Sequence, residues 1–201
     1  MYRQRAGIYD LELALFEPLR LQAVALLALR AGDTVLDLGC GTGLSLPLLA
    51  PAVGPRGHVI GIEQSPEMLG RARERVAQAG WRQVRLVEAP VETAPVHVKA
   101  DAALFHFTHD ILQQPCALDK VLRLLKPGAR VAAVGLQWAP PWAALVNLFV
   151  LPAALHSVSS LAGMDAPWRG LQARLGKLQV ESLLGGGVYI AHGTVPQSLP
   201  Q

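Results

Sequence analysis

Cysteine is scarce in this sequence: Cys40 and Cys116 are the only two in 201 residues. A disulfide framework is therefore excluded as the device that holds the fold. Cys40 also lies within a glycine turn, where a crosslink would obstruct any ligand, so both cysteines read as reduced thiols. Charge is sparse as well. Asp, Glu, Lys and Arg make up 16% of the chain, the net charge is +3, and no Lys/Arg run with interleaved aromatics occurs. That excludes nucleic acid as an expected partner. No apolar stretch runs unbroken to the roughly 20 residues that a membrane-spanning helix needs. The first residues, MYRQRAGIYD, carry arginines with no signal-peptide core behind them, so the expected location is the cytoplasm. Internal repeats and low-complexity linkers are also missing, which leaves one domain, residues 1–201. Its 51% of hydrophobic residues suffices for a sizeable core.

What the chain does have is the stretch Thr34-Val35-Leu36-Asp37-Leu38-Gly39-Cys40-Gly41-Thr42-Gly43. An apolar run ends in an acid and then in glycines on alternate positions. The pattern predicts a buried strand feeding a turn with almost no side chains, on which a ligand can lie against backbone. The turn amides and the start of the following helix favour a polar or anionic group. Two other glycine-rich sites are disfavoured. A dinucleotide fingerprint needs a third small residue where Leu44 stands, and a phosphate loop needs a Gly-Lys-Ser/Thr ending.

Along the chain, Asp10 to Arg30 reads as one or two helices, with Pro18 in the first turn of the second. Residues 1–30 form a helical cap on this reading. Strands are expected at Thr34–Leu38, Val59–Ile62, Val84–Val87, Ala102–Phe105 and Arg130–Val134. Ser65-Pro66 opens a helix that Gly80 closes. Pro115 to Leu125 is helical and stops at the turn signal Lys126-Pro127-Gly128. Pro167 to Leu175 is a last helix. Leu178–Leu184 and Gly187–Val195 form a hairpin-like pair joined through Gly185 and Gly186. Short apolar strands alternating with helices indicate an α/β fold, a parallel sheet covered on both faces.

The run VLDLGCGTG resembles the first motif of the class I S-adenosylmethionine (SAM)-dependent methyltransferases. The resemblance implies a Rossmann-like, doubly wound sheet of about seven strands, mostly parallel with an antiparallel edge strand, and SAM as cofactor. It places Gly39, Cys40, Gly41 and Gly43 under the cofactor and Asp37 near the methionine amino group. Glu63, at the end of strand two, falls where relatives bind both ribose hydroxyls. The competing readings are a helix-capping acid at Glu63 and a structural acid at Asp37 that holds the turn amides. Gln64, Met68, Ala89, Pro90 and Phe105 complete the cofactor-binding set that the resemblance implies. One departure stands out. Many relatives carry an Asp at the end of strand three for the adenine amino group, and here that place holds Pro90, leaving backbone near Ala89, or Glu92, to read the base. Tyr9-Asp10 resembles a pair that precedes the first motif in many small-molecule methyltransferases, where the tyrosine helps to cover the cofactor; plain packing is its alternative.

Strand four runs into Phe105-His106-Phe107-Thr108-His109-Asp110, the strand end that faces the sulfonium methyl in this fold. Methyl transfer is an in-line displacement whose reactivity the cofactor supplies, while the protein aligns the partners and moves a proton. His109, with Asp110 beside it, is the better base, and His106 suits a wall. Structural histidines are the alternative. No metal is expected, because the two histidines and the acid lack a third well-spaced ligand.

From Val131 to Met164 there is no Asp, Glu, Lys or Arg. Residues 137–164 read as an apolar, lid-like insertion that forms one wall of an acceptor pocket. A segment touching lipid with its tryptophans at headgroup level is the sharper reading, and a homodimer contact is a third outlet. The leading function is methyl transfer from SAM to a small, apolar or lipid-like acceptor. More loosely, the chain is similar to the bacterial phosphatidylethanolamine N-methyltransferase-like group. A catalytically silent SAM-binding module acting through its apolar surface and a natural-product methyltransferase with a polar acceptor are the alternatives. A nicotinamide oxidoreductase is disfavoured by Leu44.

Overall fold

The computed structural model describes residues 16–157 and 160–197. The described part of the N-terminal region carries helix α1 (Glu17–Leu26), with Pro18 in its first turn. Tyr9 and Asp10 lie outside the described residues. Next come β1 (Thr34–Leu38), α2 (Leu46–Val53), β2 (His58–Glu63), α3 (Pro66–Ala79), β3 (Val84–Glu88) and β4 (Ala100–His106). A short α4 (His109–Leu112), α5 (Pro115–Leu124), β5 (Leu125–Leu136), a 3-10 turn (Pro141–Val146) and α6 (Asn147–Ser157) follow. The chain closes with α7 (Arg169–Leu175), β6 (Leu178–Leu183), the tight turn Leu184–Gly186 and β7 (Val188–Thr194).

The strands form a seven-stranded sheet in the order β3-β2-β1-β4-β5-β7-β6. β1 pairs in parallel with β2 on one side and β4 on the other, so strand order reverses at β1. In an open α/β sheet that reversal leaves a crevice at the carboxyl ends of the strands. β7 is the antiparallel strand and pairs with both β5 and β6, so β6 lies outside it at the edge. The turn signal Lys126-Pro127-Gly128 does not end the pairing of β5. It sits within the strand as an irregularity, with Gly128 at φ +77° and the register on β4 jumping from Leu125 to Arg130.

Two cores cover the two faces, as the period of two along a buried strand requires. Leu36, Leu38, Ala103 and Phe105 pack with Leu118 and Tyr189 on one face. Val35, Ala102, Leu104 and Val134 pack with Ala23, Leu27 and Leu49 on the other. That alternation places Asp37 and His106 on the second face, the face under α1. A clamp fixes the helix there: Arg130 Nε donates to the Leu27 carbonyl (2.8 Å) and the guanidinium also pairs with Asp33. The caps are local. Ser65 Oγ accepts from the Met68 amide at 3.3 Å, and Gly80 ends α3 in the left-handed conformation.

Candidate functional site

The carboxyl ends of β1, β2 and β4 open into a cleft of about 240 Å³. Asp37, Gly39, Cys40, Gly41, Glu63, Gln64, Met68, Ala89, Pro90, His106, His109 and Asp110 all line it. Two predicted residues do not. Gly43 (φ +81°) lies beneath the turn, where an added Cβ would come 2.8 Å from Leu46 Cδ1 and 3.2 Å from Ala72 Cβ. It lets the turn sit down on the helices and does not present a surface to a ligand. Phe105 points to the opposite face and is wholly buried in that core, a consequence of strand alternation that separates it from His106.

The cofactor side is built almost entirely from backbone and two carboxylates. Gly39 (φ +67°) and Gly41 (φ +55°) adopt left-handed dihedrals that let the chain reverse at the end of β1. The amides of Gly39 and Cys40 both donate to the Ile62 carbonyl, at 2.8 and 3.0 Å. Glu63 is held at two points, Oε2 accepting from the Gly41 amide (3.1 Å) and Oε1 from the Ser65 amide (2.8 Å). A carboxylate has about four lone-pair sites, so these two bonds fix its orientation and leave capacity toward the cleft. Asp37 is buried. Loss of hydration raises its pKa to about 7, Arg20 opposes that rise, and Glu63 adds to it. Burial pushes the Cys40 thiol upward too, so it is no nucleophile.

The β4 side is aromatic. Phe107 leaves the strand at φ +56°, unusual for a bulky residue, and its amide donates to the Val134 carbonyl at 2.8 Å. Its ring lies 4.9 Å from those of both Phe16 and His106. Burial, with Arg20 adding to it, lowers the His106 pKa to about 3, so this imidazole is neutral throughout the physiological range. His109 heads α4. Its Nε2 lies 2.9 Å from the Ala162 carbonyl, which can only accept, so in the neutral ring Nε2 carries the hydrogen and Nδ1 the lone pair.

Asp37 Oδ2, His106 Nε2, Thr108 Oγ1 and His109 Nδ1 are buried at the cleft with no hydrogen-bond partner among the described residues. Buried polar groups are paired in the great majority of cases, so their concentration at one crevice marks it as a place for a ligand. Arg20 is the only lysine or arginine among the described residues that line the cleft. The sequence reading missed it, along with Phe107, Thr108 and Gln114. The available signal for Arg20 was a charge on the apolar stripe of α1 that also holds Ala23 and Leu27. Among the described residues no group of three or more His, Cys, Asp or Glu side chains could hold a metal ion.

The chain matches the methyltransferase-domain family over residues 29–160. It is 40% identical over 113 residues to an arsenite methyltransferase of Halobacterium salinarum, covering 54% of this chain and 28% of that one. It is 31% identical to a 2-phytyl-1,4-naphtoquinone methyltransferase of Thermosynechococcus vestitus, over 86% of this chain and 81% of the relative. The chain thus spans under a third of the first relative and about four fifths of the second. Its fold is similar to that of the N-methyltransferase NodS from Bradyrhizobium japonicum, solved with S-adenosyl-L-homocysteine, with a TM-score of 0.66 and 17% identity over 90% of this chain and 88% of that one. The glycine turn, the carboxylate ending β2 and the family match together show that this chain belongs to the class I SAM-dependent methyltransferases.

Proposed function

We propose that this protein transfers a methyl group from SAM to a small apolar acceptor. The observation that carries the reading is the set of four unpaired buried polar atoms ringing a crevice with a glycine floor. The cofactor site fits its ligand group by group. Glu63, already oriented by the Gly41 and Ser65 amides, accepts from the ribose hydroxyls. The methionine end is a zwitterion and needs one group of each sign: Asp37 for its ammonium and Arg20 for its carboxylate. Met68 and the backbone of Ala89 to Val91, with Glu92, surround the base, where Pro90 replaces the side-chain reader many relatives use.

The cofactor supplies an activated methyl on a sulfonium. With SAM bound, that methyl would pass to the acceptor's lone pair, with the thioether as leaving group. The acceptor's proton leaves through Nδ1 of His109, the nitrogen that the Ala162 carbonyl keeps free of hydrogen. His106 is a poor base at neutral pH, because its proton affinity is too low, and it serves as a wall. Phe107 and His106 give that wall an aromatic surface, with Phe16 packed against Phe107, which favours an apolar acceptor over a charged one. The name of the naphtoquinone relative points the same way, while the arsenite relative shows that acceptor chemistry varies among similar chains. His106, Phe107 and His109 line the cleft and do not fill it, which favours turnover over a silent binding module.

The test uses methyl-labelled SAM with a detergent-solubilised extract of the host, partitioned between organic and aqueous phases. Organic-phase label that is lost in Glu63→Ala is the expected outcome, together with a SAM affinity weakened about tenfold or more. Label confined to the aqueous phase would replace the apolar acceptor with a polar one. No transfer despite SAM binding would leave a silent module.

A further inference from the structure

Residues 141–155 divide their apolar side chains between the core and solvent. Val150 and Ala154 turn inward to the core. Trp142, Leu145, Leu148, Phe149 and Leu155 face outward, and with Leu184 from a separate part of the chain they each expose 63–83% of their surface. The two parts meet. The Pro141–Val146 turn touches Leu184–Gly186, and an added Cβ on Gly185 would lie 3.0 Å from Val146 Cγ2. Leu184 sits at φ +51°, a left-handed conformation that costs a leucine energy glycine would not lose, and its side chain is left in solvent beside this patch.

From these observations we infer that the Pro141–Val146 turn, α6 and the Leu184 turn form one face that docks onto the uncharged, apolar boundary of a lipid bilayer. The proposal rests on the apolar-acceptor reading above. Charge is the first argument for this occupant. Val131 to Met164 contains no ionisable acid or base other than His156, and the one carboxamide on the outer part, Asn147, is used internally, accepting from the Ala139 amide (2.8 Å) and donating to its carbonyl (3.3 Å). A face without charges, whose outward side chains offer only the Trp142 indole N–H as a polar group, matches the boundary between headgroups and hydrocarbon. A second copy of the chain would need a polar rim and on the order of ten hydrogen bonds across an interface, which this face does not offer. The exposed aromatics Trp142 and Phe149 are the residue types that settle at the headgroup boundary. No helix among the described residues is long and apolar enough to cross a membrane, so the face lies on the bilayer and does not span it. The segment is also joined to the cleft: its two ends meet where the Trp138 amide donates to the Met164 carbonyl (2.8 Å), and Ala162 carries the carbonyl that holds His109.

The test is co-sedimentation of the full chain with phosphatidylcholine vesicles, at low and at high salt. We expect binding that high salt leaves intact, because no lysine or arginine lies on the face to attract anionic headgroups. A Trp142→Ser/Phe149→Ser double variant should bind vesicles about tenfold or more weakly while its SAM affinity is unchanged. Binding that needs anionic lipid or disappears in high salt would overturn the proposal. So would a double variant that sediments like the parent, or a parent that is dimeric in solution and becomes monomeric on that substitution. Methyl transfer to the detergent-solubilised extract reads the chemistry separately. Transfer without vesicle binding would sink the docking face alone, and vesicle binding without organic-phase label would sink the acceptor reading alone.

Discussion

Along the β1–β2 side of the cleft, the groups that face a ligand come from two adjacent strand ends and are fixed by bonds between and within those ends: Gly39 and Cys40 amides on Ile62, Gly41 and Ser65 amides on Glu63. Along the β4 side they are fixed from far away in sequence. His109 is oriented by Ala162, 53 residues on, and Phe107 is flanked by Phe16 from before α1. The first side is built of backbone with strict dihedral demands, and little else can take its place. The second is built of side chains on a helix turn and a distant loop, which can change without disturbing the floor. This division matches chemistry in which every member needs the same cofactor and each needs its own acceptor.

The sharpest way to break that comparison is to add a single carbon to the floor. Gly39 sits at φ +67°, and a Cβ there would stand 2.6 Å from Thr108 Cγ2, across the contact between the two sides. Gly39→Ala is expected to cost about 1–3 kcal/mol in backbone strain alone, with the clash added, and to abolish measurable SAM binding in a titration. Gly32→Ala isolates the strain, since Gly32 also has a positive φ (+94°) but its Cβ would meet nothing within 4 Å. If both variants lose SAM equally, the floor matters only through global stability. Next in size is His109→Ala. Turnover should fall by about a hundredfold or more, with the SAM affinity within twofold of the parent. A parallel loss of both would mean that the two sides act as one unit.

The same contrast decides how much could be read from the chain alone. The strands β1 to β4, the helix from Pro66 to Gly80 and the Gly-turn carry their signals in consecutive residues, so their positions, and with them the place of Asp37 and Glu63 at the cleft, were legible. Phe105 was misplaced because a strand end was treated as a block, although alternate residues face opposite cores. Arg20 is hard to read from the chain because its ion-pair partner Glu17 is local, while the cleft groups it acts on, Asp37 and His106, are distant in sequence. The apolar stretch from 137 to 164 was legible as unusual, whereas the outward turn of Trp142, Leu145, Leu148, Phe149 and Leu155 was not. Composition shows that a segment is greasy, whereas which side chains turn outward depends on the helix phase that Val150 and Ala154 set against the core.

The smallest effect at any one pH, and the finest probe of the cofactor side, belongs to Asp37. Burial raises its pKa to about 7 from an ordinary 3.8, so without ligand it holds a proton over much of the weakly acidic range. With Asp37 on the SAM ammonium, as proposed above, binding favours the ionised form, and SAM uptake below pH 7 is expected to expel that proton. The dissociation constant is expected to rise as pH falls from 7 to 5, by up to about tenfold per unit, and to be flat above 7. Stability of the ligand-free protein should move the other way. A carboxyl whose pKa is raised on folding binds its proton more tightly in the folded state, so its contribution is present at low pH and is lost as pH climbs from about 4 to 7. Asp37→Asn removes both slopes at once: SAM affinity becomes weaker at pH 8 and nearly pH-independent, and the melting temperature stops declining across that window. Isothermal titration in buffers of different ionisation enthalpy counts the proton directly. One proton released by the parent at pH 6 and none by Asp37→Asn is the expected pair of values, and a variant that still releases it would place the titrating group on the β4 side of the cleft.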